Sequence, residues 1–390
     1  MVVGRPDIAI FLLWVGGGGT ETVVWHLARG FVDAGYRVEL VLGNAASEYR
    51  FRIPSCVRVV DLQTHGYLRT TLKLVGYLWR RRPAVLFSTL PFSALPAIAA
   101  RYLSLKRCRV VVRVCNNLAR RFEHERAAFP RPVRWALRSF PRLAHGVIAC
   151  STGMAEEIAG ITGMPRNRIH VLYNPAITEA MARQGTEPVA HPWFAPRPDG
   201  APAPPVVLGV GRLARQKNFA LLIRAFAAVR RTVAARLLLL GEGPERARLE
   251  GLVQELGLED EVSLAGYVAN PYAYMARAGV FVLSSSWEGF GNVVAEALAM
   301  GAPVVATDCP SGPAEVLDGG RYGFLVPMDD EEAMADAIRR ALAGERRGAS
   351  EEWLGRFKLA EVAGRFLDVF GLPRAKGAPP APRSRTEAGG

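Results

Sequence analysis

The sequence predicts an α/β protein made of two Rossmann-like domains, each a parallel sheet covered by helices. Three observations lead to this fold class. Short apolar runs alternate with helical stretches along most of the chain, which is typical of βαβ units. A proline-dense segment, TEPVAHPWFAPRPDGAPAPP at 186–205, interrupts the alternation once, after which it restarts. With 390 residues, half of them hydrophobic, the chain is long enough to bury a core in each half.

Seven strands are predicted in the first half and six in the second. The first seven lie at 7–15, 37–43, 57–62, 84–90, 109–115, 146–151 and 169–174, and the other six at 206–211, 235–243, 261–268, 279–286, 302–308 and 323–327. We therefore place a first domain at 1–185, a linker at 186–205, a second domain at 206–372 and a disordered, Pro/Gly/Ala-rich tail at 373–390. Whether the helix at about 350–370 packs back on the first domain stays open. A cleft between the two domains is the expected place for a ligand.

Composition excludes several classes of protein. No uninterrupted run of about 18 apolar residues is present, and the N-terminal residues lack a signal-peptide pattern. The apolar stretch 84–105 is broken by Pro91, Pro96 and Arg101, so it is predicted to be a strand, a loop and a helix. The five cysteines are scattered without CxxC or paired-histidine spacing, which argues against a disulfide framework and a structural zinc site. These features favour a reduced, cytoplasmic protein.

Positive charge is concentrated in the first half. Residues 1–180 carry 25 Lys and Arg against 11 Asp and Glu, a net charge of +14, whereas the remainder has a net charge of −1. Such a half can face nucleic acid, an anionic membrane or an anionic substrate. No RNP motif, zinc finger or basic heptad region supports nucleic acid. An arginine-rich solvated surface is the alternative.

Two glutamates in SSSWEGFGNVVAEALAMG, at 284–301, mark the predicted ligand site. Glu288 lies in a strand-to-helix turn, at the carboxyl edge of a parallel sheet where such folds bind ligands. Glu296 lies eight residues further on, about 12 Å along a helix axis. Carboxylates at that spacing suit hydroxyl groups at the two ends of an elongated ligand. The alternative is that both are solvated surface residues.

Two cations follow another predicted strand of the second half. Arg212 and Lys217, in GVGRLARQKN, lie between the strand 206–211 and a helix that begins near Phe219. Fixed cations at such an edge can clamp a diphosphate and stabilise the charge that develops as it leaves. The amides of Phe290, Gly291 and Asn292, at a helix N-terminus, add an anion-binding position. Together with the glutamates, these residues predict a nucleotide-sugar site.

The second half resembles the donor-binding domain of retaining GT-B glycosyltransferases of family four, which includes many bacterial polysaccharide and lipid-linked-sugar enzymes. The matching segments are VGRLARQKN, LLLLGEGPERARLEGLV, the run from VSLAGYV to PAEVL, and GFLVP, in family order over most of 206–330. In the first half, GGGGTETVVWHLARGFVDAGYRVELV resembles the glycine loop and first helix of the family, and VLYNP resembles the exit from its acceptor domain. The resemblance over 44–165 is weak.

The resemblance implies an acceptor domain at 1–185, a donor domain at 206–372 and a role for each matching residue. Arg212 and Lys217 would bind the donor diphosphate, which Gly18 and Gly19 would approach closely. Glu288 would face the transferred sugar, the amides of Phe290, Gly291 and Asn292 its hydroxyl groups, and Glu296 the ribose. The segment Gly266, Tyr267 and Val268 would line the base pocket, which favours UDP. No cofactor or metal is required, because the two cations and the helix dipole neutralise the diphosphate.

The chain departs from the family pattern after the strand 109–115. Members often have a histidine there, whereas this sequence has Cys115, Asn116 and Asn117, with His124 further on. We interpret Asn116, Asn117 and His124 as acceptor-binding candidates; the alternative for His124 is a histidine on a helix surface. A protein base is not essential for retaining transfer, because the departing phosphate can take the acceptor proton.

The sequence offers three alternative functions. The run WVGGGGTE lacks the glycine phase of a dinucleotide-binding fingerprint, and Glu39 falls inside a strand and not at its end, so a dehydrogenase is disfavoured. A GT-B sugar-nucleotide epimerase and a non-catalytic nucleotide-sugar-binding protein remain as alternatives to a hexosyl- or N-acetylhexosaminyltransferase acting on a glycan or lipid-linked acceptor.

A basic helical segment suggests where such an enzyme works. In LRTTLKLVGYLWRRRP, at 68–83, four apolar residues (Leu68, Leu72, Val75 and Trp79) share one side of a helix, and Arg69, Lys73 and Arg80 to Arg82 lie at its flank and end. This combination favours a peripheral contact with the anionic inner face of the cytoplasmic membrane. The alternative is that the apolar side packs on the sheet.

Overall fold

The computed structural model describes residues 5–15, 18–45, 53–89, 91–115, 139–195 and 201–373. Contacts divide the chain into two compact units. The first unit comprises 1–150, 155–175 and 356–390, and the second comprises 151–154 and 176–355. Residues 176–205, divided in the sequence analysis between the first domain and the linker, thus group with the second unit. The segment from Arg356 onwards groups with the first.

Each unit contains one parallel sheet, which confirms the predicted fold class. The first sheet has the order β3-β2-β1-β4-β5-β6-β7, with strands Ile8–Leu12, Val38–Leu42, Arg58–Asp61, Val85–Thr89, Arg109–Val114, Gly146–Ala149 and Ile169–Val171 numbered in chain order. The second has the order β10-β9-β8-β11-β12-β13, with strands Val206–Val210, Arg236–Leu240, Val262–Gly266, Val280–Leu283, Val304–Thr307 and Phe324–Val326. In both sheets the strand order reverses once, beside the first strand of the unit.

Helices connect successive strands and cover the sheets. In chain order, those of the described residues are α1 (Gly19–Asp33), α2 (Tyr67–Arg81), α3 (Pro91–Ser104), α4 (Thr152–Thr162), α5 (Glu179–Thr186), α6 (Phe219–Arg230), α7 (Arg246–Glu255), α8 (Tyr272–Met275), α9 (Asn292–Ala299), α10 (Pro313–Val316), α11 (Glu331–Leu342), α12 (Glu351–Gly355) and α13 (Leu359–Phe370). None of the helices in the described ranges combines the length and apolar composition that a membrane crossing needs.

The core of the first unit includes an aromatic cluster that joins the two ends of the chain. Phe366 and Phe370 of α13 pack on Phe31 of α1 and Phe87 of β4, with ring centroids 5.3–6.3 Å apart. All four rings are fully buried, and each such side chain stabilises the fold by roughly 1.5–3 kcal/mol. The last helix therefore completes the first unit, as its contacts with α1 require.

The core of the second unit lies between its sheet and the helices α6 and α11. Leu222, Phe226 and Val229 of α6 and Ile338 of α11 are fully buried in it. Gly209 in β8 leaves the room that this packing needs, because a Cβ atom there would lie 2.8 Å from Leu239 Cδ2.

Helix α2 is fixed to the first sheet by a buried carboxylate. Glu39 of β2 is buried, and its carboxylate accepts hydrogen bonds from Tyr77 Oη at 2.8 Å and from Arg81 Nε at 3.2 Å. A second guanidinium nitrogen of Arg81 also donates to Glu39. Arg81, expected from the sequence to belong to the basic surface, is therefore a structural residue.

We expect Arg81→Ser to lower the free energy of unfolding by about 2–4 kcal/mol, because it removes the cation that is hydrogen-bonded to the buried Glu39 carboxylate. The remaining cation, Arg58, is more distant, with its Nε 3.8 Å from Glu39 Oε1. The neighbouring Arg80 is exposed and has no such partner, so Arg80→Ser should change stability by less than about 0.5 kcal/mol. Urea unfolding followed by circular dichroism measures both variants. Equal stability of the two would contradict the role given to Arg81.

Candidate functional site

The candidate site lies in the second unit, where its strand order reverses. Strands β8 and β11 are neighbours in the sheet, with Val207 opposite Val280 and Leu208 opposite Phe281. The chain after β8 contains Arg212 and Lys217, and the chain after β11 contains Glu288. The carboxyl ends of parallel strands meet at one edge, so residues 71 positions apart in sequence come together there.

Lys217 and Glu288 form an ion pair at this edge. The distance between Lys217 Nζ and Glu288 Oε1 is 2.5 Å, and Ser285 Oγ donates to the same carboxylate oxygen at 2.7 Å. Glu288 is buried, and the Lys217 side chain is 17% exposed. Glu288 Oε2 has no hydrogen bond from the described part of the chain, so one carboxylate oxygen is held and the other is available to a ligand.

Backbone contacts hold the two loops against each other. Ser284 Oγ donates to the carbonyl of Lys217 at 2.8 Å, and the amide of Ser286 donates to the carbonyl of Gln216, also at 2.8 Å. Gln216 Nε2 donates to the carbonyl of Trp287 at 2.9 Å. The loop after β11 is thus bonded to the loop after β8 on both sides of the ion pair.

A third loop supports Glu288 from the β12 side. The amide of Glu288 donates to the carbonyl of Pro310 at 3.3 Å, and Thr307 Oγ1 donates to the carbonyl of Ser285 at 2.6 Å. Gly312 has a φ of +111°, and a Cβ atom there would lie 2.2 Å from the carbonyl oxygen of Phe290. A glycine is therefore required at 312 for this loop to approach the Glu288 loop.

Arg212 differs from Lys217 in having no partner. Its side chain is exposed, and no hydrogen bond or ion pair links its guanidinium to the described residues. Its backbone is nevertheless fixed, because the amide of the next residue, Leu213, donates to the carbonyl of Glu242 at 2.9 Å. Gly241 allows this approach of the two loops, since a Cβ atom there would lie 1.9 Å from the carbonyl oxygen of Gly211.

Glu296 lies on α9 behind the Glu288 loop. Its side chain is half-buried, and removal from water raises the pKa of its carboxyl to about 7, against the opposing charge of Lys217. Burial, followed by the charge of Glu296, raises the pKa of Tyr272 well above its usual range, which places that phenol near the carboxylate. The Glu296 carboxyl, predicted from the sequence to face the ribose, thus has a pKa near neutral pH.

One expectation about the two glutamates is wrong. The spacing of about 12 Å assumed a helix from Glu288 onwards, whereas α9 begins at Asn292, after Gly291 in a left-handed conformation with φ +85°. Between Glu288 and Glu296, only the residues from Asn292 onwards are helical. Glu288 itself is held in the preceding loop by its own hydrogen-bond partners. Phe290, Gly291 and Asn292 do lie at the helix N-terminus, as predicted.

The predicted base pocket lies at the end of β10. Gly266 has a φ of +79°, and a Cβ atom there would lie 2.9 Å from Glu242 Oε1, so a larger residue would collide with that carboxylate. Two hydrogen bonds of 2.9 and 3.0 Å join Glu242 to Arg246, which also donates to the carbonyl of Leu264. Beyond Gly266, Tyr267 is exposed and Val268 is half-buried.

The other predicted site residues lie elsewhere. Gly18 and Gly19 belong to the first unit, where Gly18 caps the N-terminus of α1. Asn116, Asn117 and His124 fall outside the described residues. Within the described ranges, no group of three or more His, Cys, Asp or Glu side chains could hold a metal ion.

Sequence reasoning missed the residues that position Glu288 and Lys217. Ser284 and Gln216 form the hydrogen bonds that connect the two loops, and Ser285 donates to Glu288. Thr307 of β12 donates to the carbonyl of Ser285. The run SSS directly after a buried strand was the available signal, because three hydroxyl groups at a sheet edge need partners.

Two family models match the chain. The model described as "Glycosyltransferase Family 4" matches residues 17–180, and the model described as "Glycosyl transferases group 1" matches residues 204–344. A relative from Campylobacter jejuni, N-acetylgalactosamine-N,N'-diacetylbacillosaminyl-diphospho-undecaprenol 4-alpha-N-acetylgalactosaminyltransferase, is 30% identical over 362 residues. That alignment covers 87% of this chain and 91% of the relative.

Solved structures of glycosyltransferases share the fold. The lipopolysaccharide outer core galactosyltransferase WaaB, in its apo form, superposes with a TM-score of 0.70 at 22% identity, over 93% of this chain and 99% of that chain. HepE from Anabaena, in complex with UDP, superposes with a TM-score of 0.74 at 20% identity, over 94% of this chain and 99% of that chain. Together with the two parallel sheets, these neighbours show the GT-B fold.

The raised pKa of Glu296 predicts a pH-dependent stability. A folded-state pKa of about 7 lies above the ordinary value near 4.5, so the folded protein holds a proton that the unfolded chain has released between those pH values. Stability is therefore expected to fall as pH rises from about 4.5 to 7. Glu296→Gln should remove this loss and exceed the wild type by about 1–3 kcal/mol at pH 8, but not at pH 4.

Thermal melts across this pH range measure the effect. Glu255→Gln, which changes an exposed carboxylate on α7, is the matched control and should follow the wild-type profile. Parallel pH profiles for Glu296→Gln and the wild type would show that Glu296 ionises normally.

Proposed function

The chain belongs to glycosyltransferase family 4 and is a GT-B glycosyltransferase; on that premise we propose that it is a retaining hexosyl- or N-acetylhexosaminyltransferase. Its donor is a UDP-sugar, and its acceptor is a glycan or a lipid-linked sugar in cell-surface polysaccharide or lipopolysaccharide synthesis. The observation that carries the proposal is the Lys217–Glu288 ion pair, at the edge where β8 and β11 end, with the unpaired Arg212 on the same loop as Lys217.

These residues fit the charge changes of glycosyl transfer. As the bond from the sugar C1 to the β-phosphate oxygen breaks, negative charge grows on the diphosphate. In this proposal Lys217 and Arg212 stabilise that charge, and removal of one such group typically costs about 2–4 kcal/mol of transition-state stabilisation. Lys217 is already oriented by Glu288, so little reorganisation is needed when the donor binds.

The proposed transfer step needs no protein base. A new bond forms between C1 and the acceptor oxygen on the face from which UDP leaves, and the proton of the acceptor hydroxyl passes to the departing β-phosphate oxygen. UDP and a product with the anomeric configuration of the donor result. Glu288 would bind a hydroxyl group of the transferred sugar through its available Oε2, and Glu296 would bind the ribose.

Relatives support the choice of donor and acceptor. HepE has been solved in complex with UDP and with UDP-glucose. The name of the Campylobacter relative specifies transfer of N-acetylgalactosamine to a diphospho-undecaprenol-linked sugar. A lipid-linked acceptor would place this enzyme at the cytoplasmic face of the membrane. We propose that it needs no divalent metal, since Arg212 and Lys217 supply positive charge to the diphosphate.

Transfer assays separate this function from its alternatives. The purified protein is incubated with radiolabelled UDP-Glc, UDP-Gal, UDP-GlcNAc or UDP-GalNAc, with and without undecaprenyl-diphosphate-linked sugars, in EDTA. We expect a labelled lipid product only with acceptor, and retained anomeric configuration by NMR. A changed donor sugar without acceptor would indicate an epimerase, binding without turnover a non-catalytic protein, and an inverted product a different mechanism.

Arg212→Ala provides the matched test of the diphosphate site. Because the side chain is exposed and unpaired, its removal should leave the melting temperature unchanged and lower turnover by a factor of about 30 to 1,000. Arg231→Ala, also exposed in the second unit, serves as the control and should keep wild-type turnover.

Substitution of the two glutamates should impair different properties, UDP binding in one variant and sugar transfer in the other. Glu296→Gln should weaken binding of UDP, because its partner is the nucleotide. Glu288→Gln should reduce transfer but leave UDP affinity within about twofold, because the amide oxygen of glutamine can still accept the hydrogen bond that orients Lys217. Calorimetry with UDP and initial rates with the active donor measure the two quantities. A similar loss of UDP affinity in both variants would refute the separate roles.

A further inference from the structure

Helix α2 presents an apolar stripe to solvent in addition to its buried face. Thr70, Leu74 and Leu78 face the interior, whereas Leu68, Leu72 and Trp79 are 74%, 58% and 56% exposed. At 3.6 residues per turn, these three side chains fall within about 40° of helix circumference. Of the four apolar residues predicted to share one side, these three are therefore exposed, and Val75 is half-buried.

The end of helix α3 extends this apolar surface. Trp79 Nε1 donates to the carbonyl of Ser104 at 3.0 Å, which joins the two helices at their C-terminal ends. Tyr102, Leu103 and Leu105 are exposed there, Leu105 by 87%. We define the α2–α3 patch as six exposed apolar side chains of these two helices and of the turn after α3: Leu68, Leu72, Trp79, Tyr102, Leu103 and Leu105. It holds six of the eleven exposed large hydrophobic side chains of the described residues.

Leu105 is an unusual choice for its position. Its φ of +54° is left-handed, a conformation that glycine or asparagine adopts more readily than leucine. Neither local backbone preference nor solubility favours an exposed leucine there. An apolar partner outside the folded chain would account for it.

Charge around the patch identifies the partner. Residues 62–115 contain ten Lys and Arg and not one Asp or Glu; of these cations, Arg81 binds Glu39 and Arg113 is fully buried. Arg69, Arg80 and Arg107 are exposed beside the patch, and Lys106 Nζ lies 5.5 Å from the centre of the Trp79 ring. Apolar side chains bordered by cations alone suit the interface of an anionic bilayer, where the apolar groups enter the headgroup region and the cations meet phosphates. Two copies of the patch would instead bring like charges together.

From this arrangement we propose that the α2–α3 patch docks on an anionic lipid bilayer by inserting its apolar side chains. The inference deepens the proposed function, because a docked enzyme would meet a lipid-linked acceptor at the membrane surface. It also changes the expected set of basic residues. Arg81 binds Glu39 and is excluded, whereas Arg69 and Arg80 belong to the rim of the patch.

Vesicle sedimentation of the full-length protein tests the proposal. Vesicles of phosphatidylcholine with about one third phosphatidylglycerol should bind the wild type at low salt, and binding should weaken at high salt. Pure phosphatidylcholine vesicles should bind at least tenfold less. Leu72→Gln and Leu105→Gly should each lower binding to the anionic vesicles about tenfold, and Arg69→Ser with Arg80→Ser should do so to a similar extent.

Leu105→Gly also controls for misfolding. Glycine suits the left-handed backbone at 105, so this variant should melt no lower than the wild type while it loses the apolar side chain. Met328→Gln, which changes an exposed apolar residue of the second unit, should bind vesicles like the wild type.

Several results would overturn docking by insertion. One is a wild type that stays in the supernatant at low salt. Another is loss of binding in the arginine variants alone, which would indicate purely electrostatic adsorption. Sedimentation equilibrium showing a dimer that Leu72→Gln dissociates would identify the patch as a self-interface. UDP binding by calorimetry is independent of all these outcomes, so failure of the donor assignment and failure of membrane docking are distinguishable.

Discussion

The burial of the Glu288 carboxylate is the constraint on which the site depends. A carboxylate almost removed from water is stable only when cations and hydrogen-bond donors compensate it, and Lys217 and Ser285 both bond to one of its oxygens. Lys217 follows β8 and Glu288 follows β11, so the pair requires these two strands to be neighbours. The reversal of strand order thus determines where the ion pair, and the site around it, can form.

The loops around this pair are shaped by close backbone contacts. Gly241 and Gly312 each lie where a Cβ atom would collide with a carbonyl oxygen of a neighbouring loop. Hydrogen bonds from Ser284 and Gln216 then connect the loops directly. Such a scaffold holds Lys217 in place before any ligand binds, and it leaves Arg212 exposed on a fixed backbone. Preorganised charge of this kind suits a reaction in which charge develops on a leaving diphosphate.

The two units differ in how their charged groups are used. In the first unit, one buried carboxylate, Glu39, anchors α2 through Tyr77 and Arg81, and most other cations along residues 62–122 have no acidic neighbour in sequence. In the second unit, 23 Asp and Glu outnumber 17 Lys and Arg, and the central ion pair lies in the site. Family membership accounts for the donor chemistry of the second unit. The basic, apolar surface of the first unit is the basis of the proposed docking on a lipid surface.

The sequence by itself determined the fold class, because the alternation of apolar runs and helices fixes parallel βαβ units, and all thirteen predicted strands are present. It also predicted that Arg212, Lys217 and Glu288 lie at a sheet edge, since they follow buried strands, and that Glu296 lies on the next helix. Pairing across 71 residues, the hydroxyl of Ser285 on the same carboxylate oxygen, and the loop that replaces a helix before Asn292 were decided by tertiary structure alone. These depend on which strands become neighbours and how closely their loops approach, and local sequence patterns do not encode either.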